Sequence, residues 1–476
     1  MSISSCRAFR PALRRTVLAA SLGLTALAAQ AQTFVAPVPD AAVQQSVQAV
    51  QAAAPVRLVL DDLRADHDRA IAELRTLVQI PAPPFKEQKR AEYFVQRLRA
   101  LGIADAYIDA EGNAVGIRKG SGGGPKLVVS AHLDTVFPEG TDLTVRERDG
   151  RLHAPGISDD TRGLTVLLSW LKALNERKLR TVGDLVFVGN VGEEELGNLR
   201  GMKALFRDHL DIDGMVGLEP GTGETVLTQG TGSHRYEVAF TGPGGHSFGA
   251  FGQVPSAIHA MGRAIAHIGD VRTPADPKTT FTVGKVGGGT SVNTIAGDAS
   301  MAIDIRSNAL PQLLQAEKEI MAAIERGVAE ENQRWGAPAR ITYAAKLIGD
   351  RPAGTTPSDS AIVQTAVASV ALAGQKPALR GGSTDANVPM SLGIPAVILG
   401  SGGKSAGAHA LGEWFDPADA WKGAQTALVT VLGLVGVEGV SEPLLARRPV
   451  RAPAPAAAPV AAPPAASPGA APAPAR

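Results

Sequence analysis

A buried strand that ends in three consecutive acids constrains the fold of this chain most strongly. The apolar run LVFVGNV, residues 185–191, predicts a strand inside the protein, and glutamates at positions 193–195 follow it directly. Two more apolar runs end in the same way, because LVVS leads towards His132 and MVGL leads into Glu219. Such runs alternate with helical patterns over residues 56–228, which predicts an α/β fold: a mainly parallel sheet with helices on both faces.

A second unit interrupts this alternation. Between residues 229 and 347 the patterns run strand, helix, strand, strand, helix, strand, the order of an α+β split βαβ (ferredoxin-like) domain. The helix–strand pattern then returns over residues 348–440. We therefore expect a catalytic domain made of residues 56–228 and 348–440, with the inserted domain between them serving as a lid and a dimerisation surface.

The two ends of the chain differ from the middle. Residues 1–31 combine several arginines, the short apolar run TVLAASLGLTALA and a final AQA, which predicts a cleaved signal peptide and a periplasmic or secreted protein without a stable membrane anchor. Residues 32–55 are interpreted as a linker. The Pro/Ala-rich stretch within residues 441–476 has no apolar period and predicts a disordered tail.

Cysteine content and charge restrict the chemistry. The only cysteine, Cys6, lies inside the predicted signal peptide, so the mature chain would have no thiolate with which to bind a metal. The net charge is +1, and no basic stripe suggests nucleic acid as a partner. Any metal must therefore be held by histidine and carboxylate side chains.

Histidines and carboxylates collect where the predicted strands end. The carboxyl ends of parallel strands meet at one edge of a sheet, which is where such sheets bind ligands. This edge would receive two imidazoles and three carboxylates, with two more acids beside them: His132, His409, Asp159, Glu194 and Glu219, flanked by Asp134 and Glu193. So many acids repel one another without cations. Two divalent metals about 3.5–4 Å apart and bridged by one carboxylate would use all five ligands. The donor set suits two Zn²⁺, with Co²⁺ or Mn²⁺ as substitutes.

Seven short motifs then identify a family. In chain order they are SAHLDTVFP, APGISDDTRGL, VGEEELG, GLEPG, GPGGHS, VNTIAG with DIR, and GAHALGEWF. Together they resemble the M20 family of co-catalytic zinc metallopeptidases, the family of glutamate carboxypeptidase and peptidase T, over residues 57–435. The chain departs from the usual pattern around the acids, since Gly192 stands where the family often has Asp.

The resemblance implies a role for each residue at the sheet edge. It implies that Asp159 bridges the metals and is followed by an unusual cis peptide, and that Glu193 is the general base. The metal ligands besides Asp159 would be His132, Glu194, Glu219 and His409, with Asp134 orienting His132. An alternative register, counted back from Gly197, would shift the base and ligand to Glu194 and Glu195.

The inserted domain would supply further residues. His246 resembles the histidine that stabilises the oxyanion, often from the partner subunit, which implies a homodimer. Asn293 and Arg306 resemble residues that hold the carbonyl and the carboxylate of the substrate. Arg380, in the run RGGSTDAN, is a second candidate for a carboxylate clamp because a guanidinium suits a peptide C-terminus.

These observations predict an exported di-zinc exopeptidase that cleaves short peptides. Two alternatives stay open. One is an N-acyl amino acid deacylase of the same family, and the other is a catalytically inactive homologue that binds peptides. Substrate identity and the preference for either end of a peptide are not determined by these motifs.

Overall fold

Nearly continuous burial along the central strands shows that the large sheet is covered on both faces. The computed structural model describes residues 33–336 and 338–452. In strand β4 (Lys126–His132), Leu127 and Val129 belong to one hydrophobic core, whereas Val128 belongs to a second core. Because successive side chains of a strand point to opposite faces, both faces of the sheet need cover.

The large sheet is mixed. Four neighbouring strands at its centre are parallel: β7 (Asp184–Asn190), β4, β8 (Gly214–Glu219) and β18 (Ala396–Gly400). Another parallel pair is formed by β9 (Thr225–Gly230) and β17 (Ala378–Gly382), and the remaining pairings are antiparallel. In spatial order the strands are β1 (Thr33–Phe34), β17, β9, β18, β8, β4, β7, β3 (Ala114–Arg118) and β2 (Tyr107–Ile108), with β16 (Gly354–Thr355) beside β9. The α/β class is confirmed, and its parallel character belongs to the central strands.

Helices cover the two faces unequally. The face with the larger core carries α1 (Ala41–Ala52), α2 (Ala54–Ala65), α3 (His67–Val78), α4 (Gln88–Ala100), α5 (Thr161–Glu176), α9 (Ala361–Leu372) and α11 (Trp421–Val435). The other face carries α6 (Arg200–Asp208) and α10 (Asn387–Ser391). Helix α5 shows how the sequence dictates this packing. Asp160 caps its first turn by accepting a hydrogen bond from the amide of Gly163 at 3.2 Å, and its leucine stripe is buried.

The inserted domain has its own sheet and core. Its sheet is antiparallel in the order β12 (Thr279–Gly288), β14 (Asp298–Ser307), β10 (Gly232–Thr241), β15 (Thr342–Arg351), and helices α7 (Ala257–Gly269) and α8 (Leu310–Trp335) pack against it. Two short strands of this domain, β11 (Gly245–His246) and β13 (Thr294–Ile295), form a separate antiparallel pair. Another four-stranded sheet, in the order β19 (Lys404–Ala406), β20 (Trp414–Asp416), β6 (Arg151–His153), β5 (Arg146–Arg148), shares a small core with helix α3.

The structure corrects the predicted boundary at the start of the catalytic domain. The segment interpreted as a linker, residues 32–55, contributes strand β1 and helix α1 to this domain. Val47 and Val50 on α1 have no exposed surface and join the larger core. Some helix was expected in this segment, but its packing was missed because only three valines mark the apolar stripe in a run of alanine, glutamine and serine.

The predicted tail begins too early. Leu445 is buried against the larger core, and the backbone amide of Arg448 donates to Asp213. The chain is therefore packed to at least residue 448, whereas the sequence predicts disorder over residues 441–476. The predicted signal peptide and the end of the tail lie outside the described residues.

Within the described ranges, no helix has both the length and the apolar character that crossing a membrane requires.

Candidate metal centre

Five chain segments deliver ionisable side chains to one edge of the large sheet. Strand β4 ends at His132 and its parallel neighbour β8 ends at Glu219. Strand β7 leads into the glutamates at 193–195. Asp159 lies two residues before helix α5, and His409 lies in the loop between β19 and β20. The parallel central strands thus bring together side chains that are far apart in the chain.

These side chains form three overlapping groups of three possible ligands. One is made of His132, Glu193 and Glu194, and the other two share the carboxylate of Asp159. Of these two, His132, Asp159 and Glu219 make the first group; Asp159, Glu194 and His409 make the second, and within each group the possible donor atoms lie within 4.8 Å of one another. Asp159 faces both, with Oδ1 3.0 Å from Nε2 of His132 and Oδ2 3.3 Å from Nε2 of His409. Nε2 of His409 is also 3.1 Å from Oε1 of Glu194. This arrangement fits two cations bridged by Asp159.

Asp134 and its surroundings orient the first histidine. Nδ1 of His132 lies 2.9 Å from the backbone oxygen of Asp134, to which it donates, so that Nε2 is left to bind a metal. The Asp134 carboxylate accepts hydrogen bonds from the amides of Glu193 at 3.1 Å and Glu194 at 2.8 Å. Asp134 therefore positions residues at two strand ends, His132 through its backbone oxygen and the two glutamates through its carboxylate. The peptide bond between Asp159 and Asp160 is cis.

The electrostatics of the cluster favour added positive charge. Burial raises the pKa of Glu219 well above its usual range. Burial also disfavours ionisation of Asp159, but hydrogen bonds from the two imidazoles outweigh it and lower the pKa of that carboxyl. Hydrogen bonds with Asp159 and Glu194 raise the pKa of His409 to about 10. Divalent cations would supply the positive charge that bound protons provide when no metal is present. Nitrogen and oxygen donors without thiolate fit zinc, cobalt or manganese.

The three consecutive glutamates separate into three environments. Glu194 contacts His409, whereas Glu193 is buried and points towards Arg351. Glu195 is exposed and starts a 3₁₀ turn with a φ of 47°. Gly192 has a φ of 72°, and a side chain there would collide with Arg200, which explains why Asp is absent at this position. Glu193 and Glu194 are therefore among the possible donors of the cluster, whereas Glu195 is not.

Arg351 is a functional candidate that the motifs missed. It ends β15, the last strand of the inserted domain, and its side chain is only 7% exposed. One terminal nitrogen lies 3.0 Å from Oε1 of Glu193, and the other donates to the backbone oxygen of the same residue. Burial raises the pKa of Glu193, while the guanidinium opposes that rise. The only signal in the sequence is a basic residue where the chain returns from the inserted domain.

A cavity of about 790 Å³ opens in front of the cluster. Arg306, a predicted substrate residue, lines it, and Arg235 does so as well. Both guanidiniums are held by Asp304, whose oxygens lie 2.7 Å from Nε of Arg306 and 3.1 Å from Nε of Arg235. Arg235 was also missed, because it lies within an ordinary strand pattern.

Three predicted residues are not among those that line this cavity. His246 lies in strand β11, and the backbone oxygen of Asn293 accepts a hydrogen bond from the amide of Ser247 at 3.0 Å. These two residues are therefore neighbours at the tip of the inserted domain, and both are exposed. Arg380 lies in β17, opposite Thr33 of β1, and the structure does not bring it to the cavity.

Comparison with known proteins agrees with this geometry. Residues 128–432 match the model of a family described as Peptidase family M20/M25/M40. Carboxypeptidase G2 from Pseudomonas sp. (strain RS-16) is 31% identical over 166 residues, which make up 34% of this chain and 38% of that protein.

Solved structures share the fold. A tripeptidase from Staphylococcus aureus subsp. aureus mu50 has a TM-score of 0.66 at 22% identity, covering 78% of this chain and 98% of that one. The YXEP protein of Bacillus subtilis, a dinuclear metal-binding peptidase, has a TM-score of 0.58 at 17% identity, with 77% and 98% of the two chains covered.

Proposed function

This chain belongs to peptidase family M20/M25/M40, and on that premise we propose that it is an exported exopeptidase that hydrolyses short peptides with the help of two zinc ions. That it is a metal-binding hydrolase acting on amide bonds follows from the family and from the cluster of ligands. The observation that carries the finer proposal is the pair of ligand groups that share Asp159.

The metal-binding residues have distinct positions. His132 and Glu219 would hold one ion, Glu194 and His409 the other, and Asp159 would touch both. When bound, two divalent cations supply the charge that activates water and polarises an amide carbonyl.

Glu193 is the general base in this proposal. Its carboxylate is buried in a group with His132 and Glu194 but lies outside the two groups that share Asp159, and Arg351 holds one of its oxygens. Glu193 would accept a proton from the attacking water and return it to the leaving amine. Arg351 would keep the carboxylate aimed at the reacting atoms.

Two arginines support a substrate that carries a free carboxylate. Arg306 and Arg235 line the cavity, and Asp304 fixes one nitrogen of each. A second nitrogen of Arg235 donates to the backbone oxygen of Glu195 at 2.7 Å. A planar guanidinium binds a carboxylate through two parallel hydrogen bonds. A peptide C-terminus, or the carboxylate of an N-acyl amino acid, would meet this requirement.

We propose that His246 and Asn293 act on the substrate of a partner subunit. Both lie at the tip of the inserted domain, where Phe248 is 90% exposed and Val292 is fully exposed. Large exposed apolar side chains close together are typical of interaction surfaces. Sedimentation analysis should give a dimer, and Phe248→Ser with Val292→Ser should shift it to monomer with a large loss of kcat. A wild-type monomer with full activity would contradict this.

The test of the mechanism compares two neighbouring glutamates. Glu193→Gln should bind two zinc ions and lose roughly 10²–10⁴-fold in kcat, the usual contribution of a general base. Glu195→Gln is the matched control and should stay within a few-fold of wild type, because this side chain is exposed. Full turnover by metal-loaded Glu193→Gln would refute the base. Loss of metal from Glu195→Gln would instead favour the alternative register.

Substrate profiling separates the peptidase from its alternatives. Dipeptides, tripeptides and N-acyl amino acids should be tested with the zinc-loaded enzyme. Turnover of peptides with a free C-terminus supports the proposal, whereas turnover confined to N-acyl amino acids would make the protein a deacylase. Metal-loaded protein that binds peptides and hydrolyses no amide would be an inactive homologue.

Export can be tested directly. If residues 1–31 are cleaved as proposed, the protein isolated from the periplasm or medium of its own host should begin at Gln32. A protein that keeps Met1 and stays in the cytoplasmic fraction would refute this.

A further inference from the structure

One buried acid outside the ligand set connects two of the segments that carry ligands. Glu413 has no exposed surface, and four donors converge on its carboxylate. Oε2 accepts from the amide of Gly156 at 2.7 Å. Oε1 accepts from the amide and the hydroxyl of Ser158, each at 2.7 Å, and from the amide of Asp159 at 3.0 Å. A charge buried to this degree is stable only when it is so fully hydrogen-bonded.

These hydrogen bonds link positions that are more than 250 residues apart. On one side is the backbone that carries Asp159, the acid shared by the two ligand groups. On the other side, Glu413 follows His409 by four residues in a loop closed by two turns, from Ala410 to Gly407 and from Glu413 to Ala410.

His409 depends on this loop for its position. Its side chain is 57% exposed, and its backbone has a φ of 66°, so neither burial nor regular secondary structure holds it. By contrast, His132 and Glu219 of the first group end two strands of the large sheet and are fixed by its ladder.

We infer that Glu413 is a positioning residue that sets the distance between Asp159 and His409, and thereby the affinity of the second metal position. The inference rests on the proposed two-metal function. Removing the charge of Glu413 leaves four donors with poorer acceptors, so the loop of His409 would drift from Asp159. Loss of the second ion should therefore exceed any effect on the first.

The test measures zinc directly. Wild-type protein and Glu413→Gln are dialysed against buffers of fixed free zinc, and bound zinc is counted by mass spectrometry. Wild type should bind two ions per chain. In Glu413→Gln, the Kd of the weaker ion should rise at least tenfold, while that of the tighter ion should change less than threefold.

Glu331 is a matched control. It is equally buried, in the inserted domain, and accepts hydrogen bonds from the amide of Ser256 at 3.2 Å, from Arg263 at 3.1 Å and from Trp335 at 3.0 Å. Glu331→Gln should lower the melting temperature without changing either zinc Kd. If Glu413→Gln behaves in the same way, its role is merely structural and the inference fails.

Two more variants locate the effect. In a His409→Ala background, Glu413→Gln should not further weaken the binding of the one remaining ion; an additional tenfold loss of affinity would overturn the inference.

Ser158→Ala removes a single donor and should give a smaller rise in the Kd of the weaker ion, even if Glu413→Gln fails to fold. An unchanged Kd in Ser158→Ala would count against the proposal. Fewer than two ions in wild type would refute the two-metal function itself.

Discussion

Helix α1 offers a sharp test of where the catalytic domain begins. Val47 and Val50 have no exposed surface and pack with helices α9 and α11 in the larger core. If this segment were a linker, replacing both valines by alanine would leave stability unchanged. If it is part of the domain, the double variant should unfold at a lower temperature.

The expected size of the effect follows from the buried side chains. Each Val→Ala change removes two carbon atoms, at about 0.8 kcal/mol for each buried group plus a cavity term, or roughly 2 kcal/mol per site. Because the two valines share neighbours, their effects need not add fully, and we expect about 3–4 kcal/mol for the pair. With an unfolding entropy of about 2.1 cal/mol/K per residue over roughly 300 residues, this lowers Tm by about 5–6 °C.

The assay is differential scanning calorimetry at one fixed free-zinc concentration, since bound metal also shifts Tm. Val38→Ala is the matched control, because that valine is 88% exposed and its replacement should change Tm by less than about 1 °C. A Tm of the Val47→Ala, Val50→Ala protein within 1 °C of this control would refute the docking of α1.

Three other measurements test different parts of the molecule. Ion pairs with Asp350 and Glu317 raise the pKa of His234, so its stabilising charge is fully present below about pH 6.5 and is lost as pH rises through the higher folded pKa. His234→Gln should therefore cost on the order of 1 kcal/mol at pH 6 and less at pH 9 in urea unfolding, and the opposite trend would contradict this. Arg351→Met should lower kcat at least tenfold and destabilise the protein by about 3 kcal/mol, because it leaves Glu193 buried without its cation, with Arg351→Lys intermediate; wild-type kcat would contradict the contact. Removal of metal by a chelator should abolish hydrolysis and lower Tm, both restored by zinc, and activity that persists without metal would refute the metal centre.

Some contacts at the site could be predicted from local patterns and others could not. His132 and Glu219 follow apolar runs, and parallel strands bring their carboxyl ends to one edge, so their proximity was predictable. Arg351 and Glu413 follow no such rule. Their partners are 158 and about 255 positions away, and only the packing of distant segments brings them into contact.

The same distinction explains the errors at the ends of the chain. The alanine-rich sequence of α1 has a weak apolar stripe, and its burial depends on α9 and α11 leaving a surface for it to cover. A pattern of hydrophobicity cannot reveal a partner that lies more than 300 residues away.

By itself, the sequence determined the α/β class, the inserted unit and the set of residues at the sheet edge, because hydrophobic periodicity and strand ends can be recognised from short stretches of the chain. Only the tertiary structure decided that Asp159 stands between His132 and His409, that Glu193 and Glu195 face different surroundings, and that His246 lies apart from the cavity. These facts depend on distances between segments, and the hydrophobic cores and buried hydrogen bonds that set those distances exist only in the folded protein.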